Sequence, residues 1–175
     1  YPECTNYGTF NETLYPWLKN APHFLIIGAQ KCGTTSLAAY LNRHPQIIPA
    51  KQKELHFFDH RFDAYIFGKR EIARDDALDA YSKFFLSQEG RRIVNTNGSE
   101  NKTTKLISFE ATPKYLYWSQ KISPRVLCLV PWVKIIIMLR DPVKRAYSGW
   151  RMKYLSMGGG GPEFEDAVNR DFKVM

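Results

Sequence analysis

The sequence predicts an α/β fold, a P-loop-like parallel sheet flanked by helices. Three observations carry this. Short, largely apolar runs at Phe24–Ile27, Leu106–Phe109 and Val133–Leu139 have the character of strands buried on both faces. Stretches with helical apolar spacing alternate with them, the pattern of βαβ units. Two polar loops rich in chemistry, 28–36 and 140–148, each directly follow a strand. That places both at the carboxyl ends of the strands, where open α/β sheets bind ligands.

Taken in order, residues 1–22 hold Pro2, Pro16 and Pro22 with little periodicity and read as an irregular lead-in. Residues 23–175 then form one domain, the size expected for a chain of 175 residues. Phe24–Ile27 is a strand, and Thr35–Arg43 a helix with Leu37 and Leu41 inward, ended by Pro45. Gln46–Ile48 is a short second strand, followed by an aromatic and charged loop over 51–59. Asp75–Leu86 is a helix, because Ala77, Leu78, Tyr81, Phe84 and Phe85 fall on one side. The polar stretch Asn95–Lys105 is an exposed loop, leading into the strand Leu106–Phe109. Val133–Leu139 is the strongest strand. A helix follows Pro142 to about Tyr154, Gly158–Gly161 is a break, and Pro162–Phe172 is a last amphipathic helix.

A net charge of +8 and a pI near 9.4 imply an anionic partner. No RNA-binding or zinc-finger signature is present, so nucleic acid is not the expected one. Cys4, Cys32 and Cys128 are too few for a disulfide scaffold and fit no zinc spacing, so no metal site is expected. At most one bridge can form, and the sequence does not assign it. Sequons at Asn11, Asn97 and Asn101 exceed the roughly one expected by chance and point to a secretory lumen. No apolar run approaches the ~20 residues that span a bilayer. The chain begins at Tyr1 and reads as trimmed, with any anchor outside it.

The loop between the first strand and helix is the most informative segment. A helix start leaves backbone N–H groups open and carries partial positive charge, so a loop feeding it suits an anion. Gly28 and Gly33 have Walker A spacing and Thr35 the right type, but Thr34 stands where the lysine belongs, and Lys31 lies inside the loop. The displaced lysine argues against a kinase or NTPase, whose lysine must reach the β/γ-phosphates. On the second rim loop, Arg140 ends the strand and Ser148 lies about two turns along the next helix. A guanidinium fork plus a hydroxyl suits a phosphate. The competing roles are a pairing of Arg140 with Asp141 or Glu54 and a solvent-facing Ser148.

Together these segments resemble a family. Gly28-Ala-Gln-Lys31-Cys32-Gly33-Thr34-Thr35-Ser36-Leu37 is similar to the 5′-phosphosulfate loop of sulfotransferases, and Leu139-Arg140-Asp141-Pro142 through Ser148 to their 3′-phosphate motif. Lys53-Glu54-Leu-His56-Phe57-Phe58-Asp59 resembles the acceptor-side loop of the heparan sulfate branch.

The resemblance covers about residues 23–155. It implies a sulfotransferase fold and the cofactor 3′-phosphoadenosine 5′-phosphosulfate (PAPS), leaving adenosine 3′,5′-bisphosphate after transfer to a carbohydrate hydroxyl or amine. Lys31, Cys32, Gly33, Thr34, Thr35, Ser36, Arg140 and Ser148 are then the cofactor contacts. Glu54 is the general base, with Lys31 and His56 as catalytic partners. Lys53 and Lys114 are the acceptor contacts, with Lys51, Arg61 and Arg145 as further basic candidates. The alternative for Glu54 is an ion pair with Lys51 or Lys53.

Four further expectations follow from the resemblance. The partner is an acidic, glycosaminoglycan-like polysaccharide. The location is the Golgi lumen with a membrane anchor elsewhere, or secretion. The family continues past the equivalent of Met175, so the chain reads as truncated at its C-terminus. The family often has a lysine after the glutamate of the motif matched by Glu110-Ala-Thr-Pro113; Ala111 stands there, with Lys114 nearby. The alternatives are a P-loop nucleotide kinase or NTPase, and a non-catalytic binder of anionic glycans.

Overall fold

The computed structural model describes residues 21–62, 74–85, 106–155 and 160–172. The sequons at Asn11, Asn97 and Asn101 lie outside them, as do Cys4, most of the lead-in and Leu86. The chain divides into two compact units, Tyr1–Met138 and Leu139–Met175.

The first unit is built on four parallel strands in the order β2-β3-β1-β4. They are β1 (Phe24–Gly28), β2 (Ile47–Pro49), β3 (Ile107–Ala111) and β4 (Lys134–Ile137). The expected strands are all present, with β2 displaced by one residue and β4 shorter at both ends. Pro49 can end β2 because that strand lies at a sheet edge, where a missing N–H costs no ladder bond. Side-chain alternation along β1 feeds two cores. Leu25 points into a cluster with Leu55, Phe57, Phe58, Tyr81, Ile122 and Leu129, while Ile26 joins Phe109 and Ala111 on the other side. Phe24 and Phe109 stack across the β1–β3 pair with ring centroids 5.2 Å apart.

Helix α1 (Thr34–Leu41) covers the second cluster through Leu37 and Leu41, the face expected from their spacing. Helix α2 (Arg74–Ser82) supplies Ala77, Leu78 and Tyr81 to the first cluster. It ends four residues earlier than the sequence suggests: Phe84 and Phe85 continue in turns bonded back to Tyr81 and Ser82. A helix the sequence reading omitted, α3 (Ser119–Leu129), completes this layer. Pro124 inside it masks the helical pattern, since proline lacks the N–H that a helix interior uses. Ile122, Val126 and Leu129 nevertheless recur at helical spacing and are buried, and their burial outweighs the lost bond.

The loop over 51–59 is also more ordered than its composition suggests. It enters a single turn of π-helix, Phe57–Arg61, with Phe57 and Phe58 fully buried. No helix of the described residues is long and apolar enough to cross a membrane.

The second unit contains α4 (Pro142–Trp150), a π-helical turn (Arg151–Leu155) and α5 (Phe164–Phe172). Asp141 caps α4 by accepting the Lys144 N–H at 2.9 Å, and Pro142 occupies the first turn, where its missing N–H is harmless. The helix expected to run to Tyr154 therefore changes pitch after Trp150, and the last helix begins at Phe164 rather than Pro162. Tyr147, Trp150 and Phe164 form an aromatic cluster that joins α4 to α5, closed by the Trp150 indole N–H donating to the Pro162 carbonyl at 2.9 Å.

Candidate active site

Two segments meet the carboxyl edge of the sheet in the first unit. The loop after β1 is tied to the end of β4. The Met138 N–H donates to the Gly28 carbonyl at 2.7 Å, and the Ala29 N–H to the Met138 carbonyl at 2.8 Å. Gly28 is required by space: a Cβ there would lie 2.7 Å from the Leu116 Cβ. Gly33 is required by conformation, with φ 91° at the N-cap of α1. Because Gly33 has no side chain, nothing caps the helix. Its first-turn N–H groups have no intrahelical acceptor, and the dipole adds positive character.

Lys31 stands in this loop in a left-handed conformation, φ 68°. Thr34 is buried, while Thr35 and Ser36 are exposed. The Cys32 thiol is free and buried, pointing to the Gln30 carbonyl. This donor set — open N–H groups, one ammonium, two exposed hydroxyls and a glycine that lets an anion approach — fits a phosphate or a phosphosulfate.

The acceptor-side loop is pinned to β3, where the Glu54 N–H donates to the Ala111 carbonyl at 3.1 Å. Glu54 and His56 both take positive φ, 58° and 52°. The Glu54 carboxylate is paired with the Lys53 ammonium, so the ion pair weighed as its alternative role is present. Lys51 is not part of it; its ammonium donates to the Lys83 carbonyl at 2.7 Å. His56 Nε2 lies 3.8 Å from the other Glu54 oxygen, and Nδ1 lies 2.9 Å from Asp59 Oδ2. A carboxylate only accepts, so Nδ1 carries the proton and Nε2 faces Glu54.

The Asp59 side chain is buried and also meets His60 Nε2 at 3.3 Å, a distance that Lys114 Nζ shares with the same ring nitrogen. His60 serves one of these partners at a time, donating to Asp59 or accepting from Lys114. Lys114, three residues after Ala111, thus reaches the π-turn that follows Glu54 through His60. Arg61 lies over the Phe84 ring, 5.0 Å from its centroid.

Among the described residues, His56, Asp59 and His60 are the group whose ligand atoms lie close enough, within 4.8 Å, to hold a metal ion. The neighbouring Lys114 ammonium opposes a cation there.

The structure therefore brings Glu54, Lys53, His56 and Lys114 together. It places Lys31, Cys32, Gly33, Thr34, Thr35 and Ser36 on the neighbouring loop and helix of the same sheet. Arg140 and Ser148 belong to the second unit, Arg140 preceding α4 and Ser148 on it. The Asp141 carboxylate is occupied as the α4 cap.

Sequence reasoning missed Asp59 as the anchor of two imidazoles, and it missed the buried polar network behind the loop. Glu110, 1% exposed, accepts from the hydroxyls of Tyr115 at 2.6 Å, Thr112 at 2.7 Å, and Tyr81. A charged residue inside an apolar strand was the available signal, because a buried carboxylate requires partners.

A model of the sulfotransferase family matches residues 22–172. The membrane-associated sulfotransferase kil1 of Dictyostelium discoideum is 33% identical over 162 residues, covering 88% of this chain and 29% of that protein. The bifunctional heparan sulfate N-deacetylase/N-sulfotransferase 3 of Mus musculus is 34% identical over 130 residues, covering 74% of this chain and 13% of that protein. The chain thus spans less than a third of the length of either relative. A crystal structure of a sulfotransferase from Alicyclobacillus acidocaldarius superposes with a TM-score of 0.56 at 28% identity, covering 87% of this chain and 57% of that one.

Proposed function

The chain belongs to the sulfotransferase family, and on that premise we propose that it transfers the sulfuryl group of PAPS to a hydroxyl or amine of an acidic polysaccharide. The observation that carries this is the juxtaposition on one sheet edge of an uncapped helix start bearing Lys31 with a loop presenting the Glu54 carboxylate. Bound PAPS supplies an activated sulfuryl group attached to a good leaving phosphate. Transfer of such a group is displacement at a charged tetrahedral centre, and the protein contributes positioning and charge stabilisation.

In this account the backbone N–H groups of residues 33–36 and the Thr35 hydroxyl hold the 5′-phosphate. Thr34 and Cys32, both buried, shape the loop. The Lys31 ammonium offsets charge as the bond from sulfur to the bridging oxygen breaks. Glu54 takes the acceptor proton as the new bond to sulfur forms, and Asp59 fixes the His56 ring beside it. Lys53 and Lys114 meet the acidic acceptor. Arg140 and Ser148, carried by the second unit, are the residues that the resemblance of their segment to the 3′-phosphate motif assigns to that phosphate. The relatives named for heparan sulfate chemistry support a glycosaminoglycan-like acceptor. The disulfide-bonded state of Cys128 supports an oxidising, luminal site such as the Golgi.

A thermal-shift comparison separates this reading from a kinase or NTPase. At equal concentration adenosine 3′,5′-bisphosphate raises the melting temperature more than adenosine 5′-monophosphate does, and ATP–Mg²⁺ raises it least, because a ligand that binds only the native state stabilises it by RT ln(1 + [L]/Kd) and the tighter ligand stabilises more. Stabilisation by ATP–Mg²⁺ alone would remove the sulfotransferase reading. A non-catalytic glycan binder predicts stabilisation by polysaccharide and none by either nucleotide.

A further inference from the structure

The function proposed above assigns no role to Glu110, although its strand end belongs to one of the segments that stand out in the sequence. Its surroundings suggest one. Glu110 is buried at the end of β3, and its carboxylate accepts from three hydroxyls: Tyr115 and Thr112 on Oε1 and Tyr81 on Oε2. Burial pushes the Glu110 carboxyl above its usual range, while the three hydroxyl bonds pull it back. Burial, reinforced by the Glu110 charge, pushes the Tyr115 phenol well above its usual value, so Tyr115 keeps its proton.

A phenol whose O–H is committed to one acceptor has its oxygen lone pairs free to accept. The Tyr115 oxygen does accept, from two adjacent backbone N–H groups: Phe57 at 2.9 Å and Phe58 at 3.2 Å. Arg125 closes the other side, donating from Nη1 to the Phe58 carbonyl at 2.7 Å. These residues open the π-turn immediately after His56. Between the Glu54–Ala111 backbone bond and the Tyr115 hydroxyl, the chain passes through two non-glycine residues with positive φ, Glu54 and His56. Such conformations are unfavourable and persist only where the surroundings over-determine them.

We propose that Tyr115, aimed by Glu110, is a positioning residue for sulfuryl transfer: its hydroxyl grips the backbone behind His56 and holds Glu54 in the conformation from which it takes the acceptor proton. The inference rests on Glu54 being the base. Tyr81 provides the internal control. It bonds the same carboxylate through its other oxygen, while its hydroxyl makes no bond to the loop backbone.

The test compares Tyr115→Phe and Tyr81→Phe in the whole protein, each alone and combined with Glu54→Gln. Tyr115→Phe lowers kcat on the order of tenfold or more, as expected when a reacting group loses its placement, with the Kd for adenosine 3′,5′-bisphosphate unchanged within about twofold. Tyr81→Phe leaves kcat within about twofold of the parent. On the Glu54→Gln background Tyr115→Phe costs nothing further, because both changes act through one group.

Three results overturn the proposal: an unchanged kcat for Tyr115→Phe, an equal kcat loss for Tyr81→Phe, or a Tyr115→Phe loss that persists in full without Glu54. Turnover that survives Glu54→Gln would instead remove the base assignment itself. If Tyr115→Phe does not fold, amide hydrogen exchange in the unsubstituted protein decides. Protection of Phe57 and Phe58 matching that of β3 upholds the grip, and exchange at the rate of open loop amides refutes it.

Discussion

Replacing Glu54 by Gln reduces sulfuryl transfer by on the order of 10²–10⁴-fold while leaving the nucleotide-induced thermal shift intact, because a positioned general base contributes about that much and does not hold the nucleotide. Glutamine keeps the size of the side chain and its ability to accept from Lys53, so the change removes basicity more than shape. Glu54 is partly exposed and sits between an ammonium and an imidazole, with Lys53 on one oxygen and His56 at 3.8 Å from the other. The Lys53 ion pair holds the carboxylate in place at the loop. Steady-state kinetics with saturating PAPS, paired with melting curves in adenosine 3′,5′-bisphosphate, read the two halves separately. Undiminished turnover would reduce Glu54 to the ion-pair partner of Lys53.

Lys31→Met has the second largest effect. The substitution retains the length of the side chain and removes its charge. It should lower kcat by on the order of 10²–10³-fold, the range seen when a donor aimed at developing charge is lost. Nucleotide affinity should fall by about tenfold or less, since the open N–H groups at the start of α1 and the dipole behind them remain. A loss confined to nucleotide Kd, with kcat preserved at saturation, would make Lys31 a binding residue only. The loop itself should survive the change. Its shape depends on Gly28 against Leu116, on the φ of Gly33, and on the backbone bonds to Met138.

The strand–loop–helix of residues 24–41 was legible because its signals are local: an apolar run, two glycines at fixed spacing, and an amphipathic stretch stopped by Pro45. The carboxyl-edge placement of the Glu54 loop was legible for the same reason, since Gln46–Ile48 is a short apolar strand just before it. Helix α3 was not, because Pro124 interrupts a pattern that burial of Ile122, Val126 and Leu129 sustains in the fold.

The network around Glu110 could not be read from spacing. Tyr81 and Tyr115 come from α2 and from the turn after β3, and only strand pairing and helix packing bring their hydroxyls to one carboxylate. Arg125 was hidden likewise. It is 3% exposed, on a helix the sequence does not announce, and its guanidinium lies 5.1 Å from the centre of the Phe62 ring. The bonded state of Cys128 is a further case, because three cysteines allow several pairings.

The account depends on a sulfuryl group leaving PAPS and arriving on a sugar. The most direct measurement incubates the protein with PAPS radiolabelled in sulfur and a panel of desulfated glycosaminoglycans, then follows label onto the polysaccharide. The account predicts transfer to at least one acidic acceptor, abolished by Glu54→Gln. Polysaccharides that stay unlabelled in every case, while the protein still binds adenosine 3′,5′-bisphosphate, would contradict it.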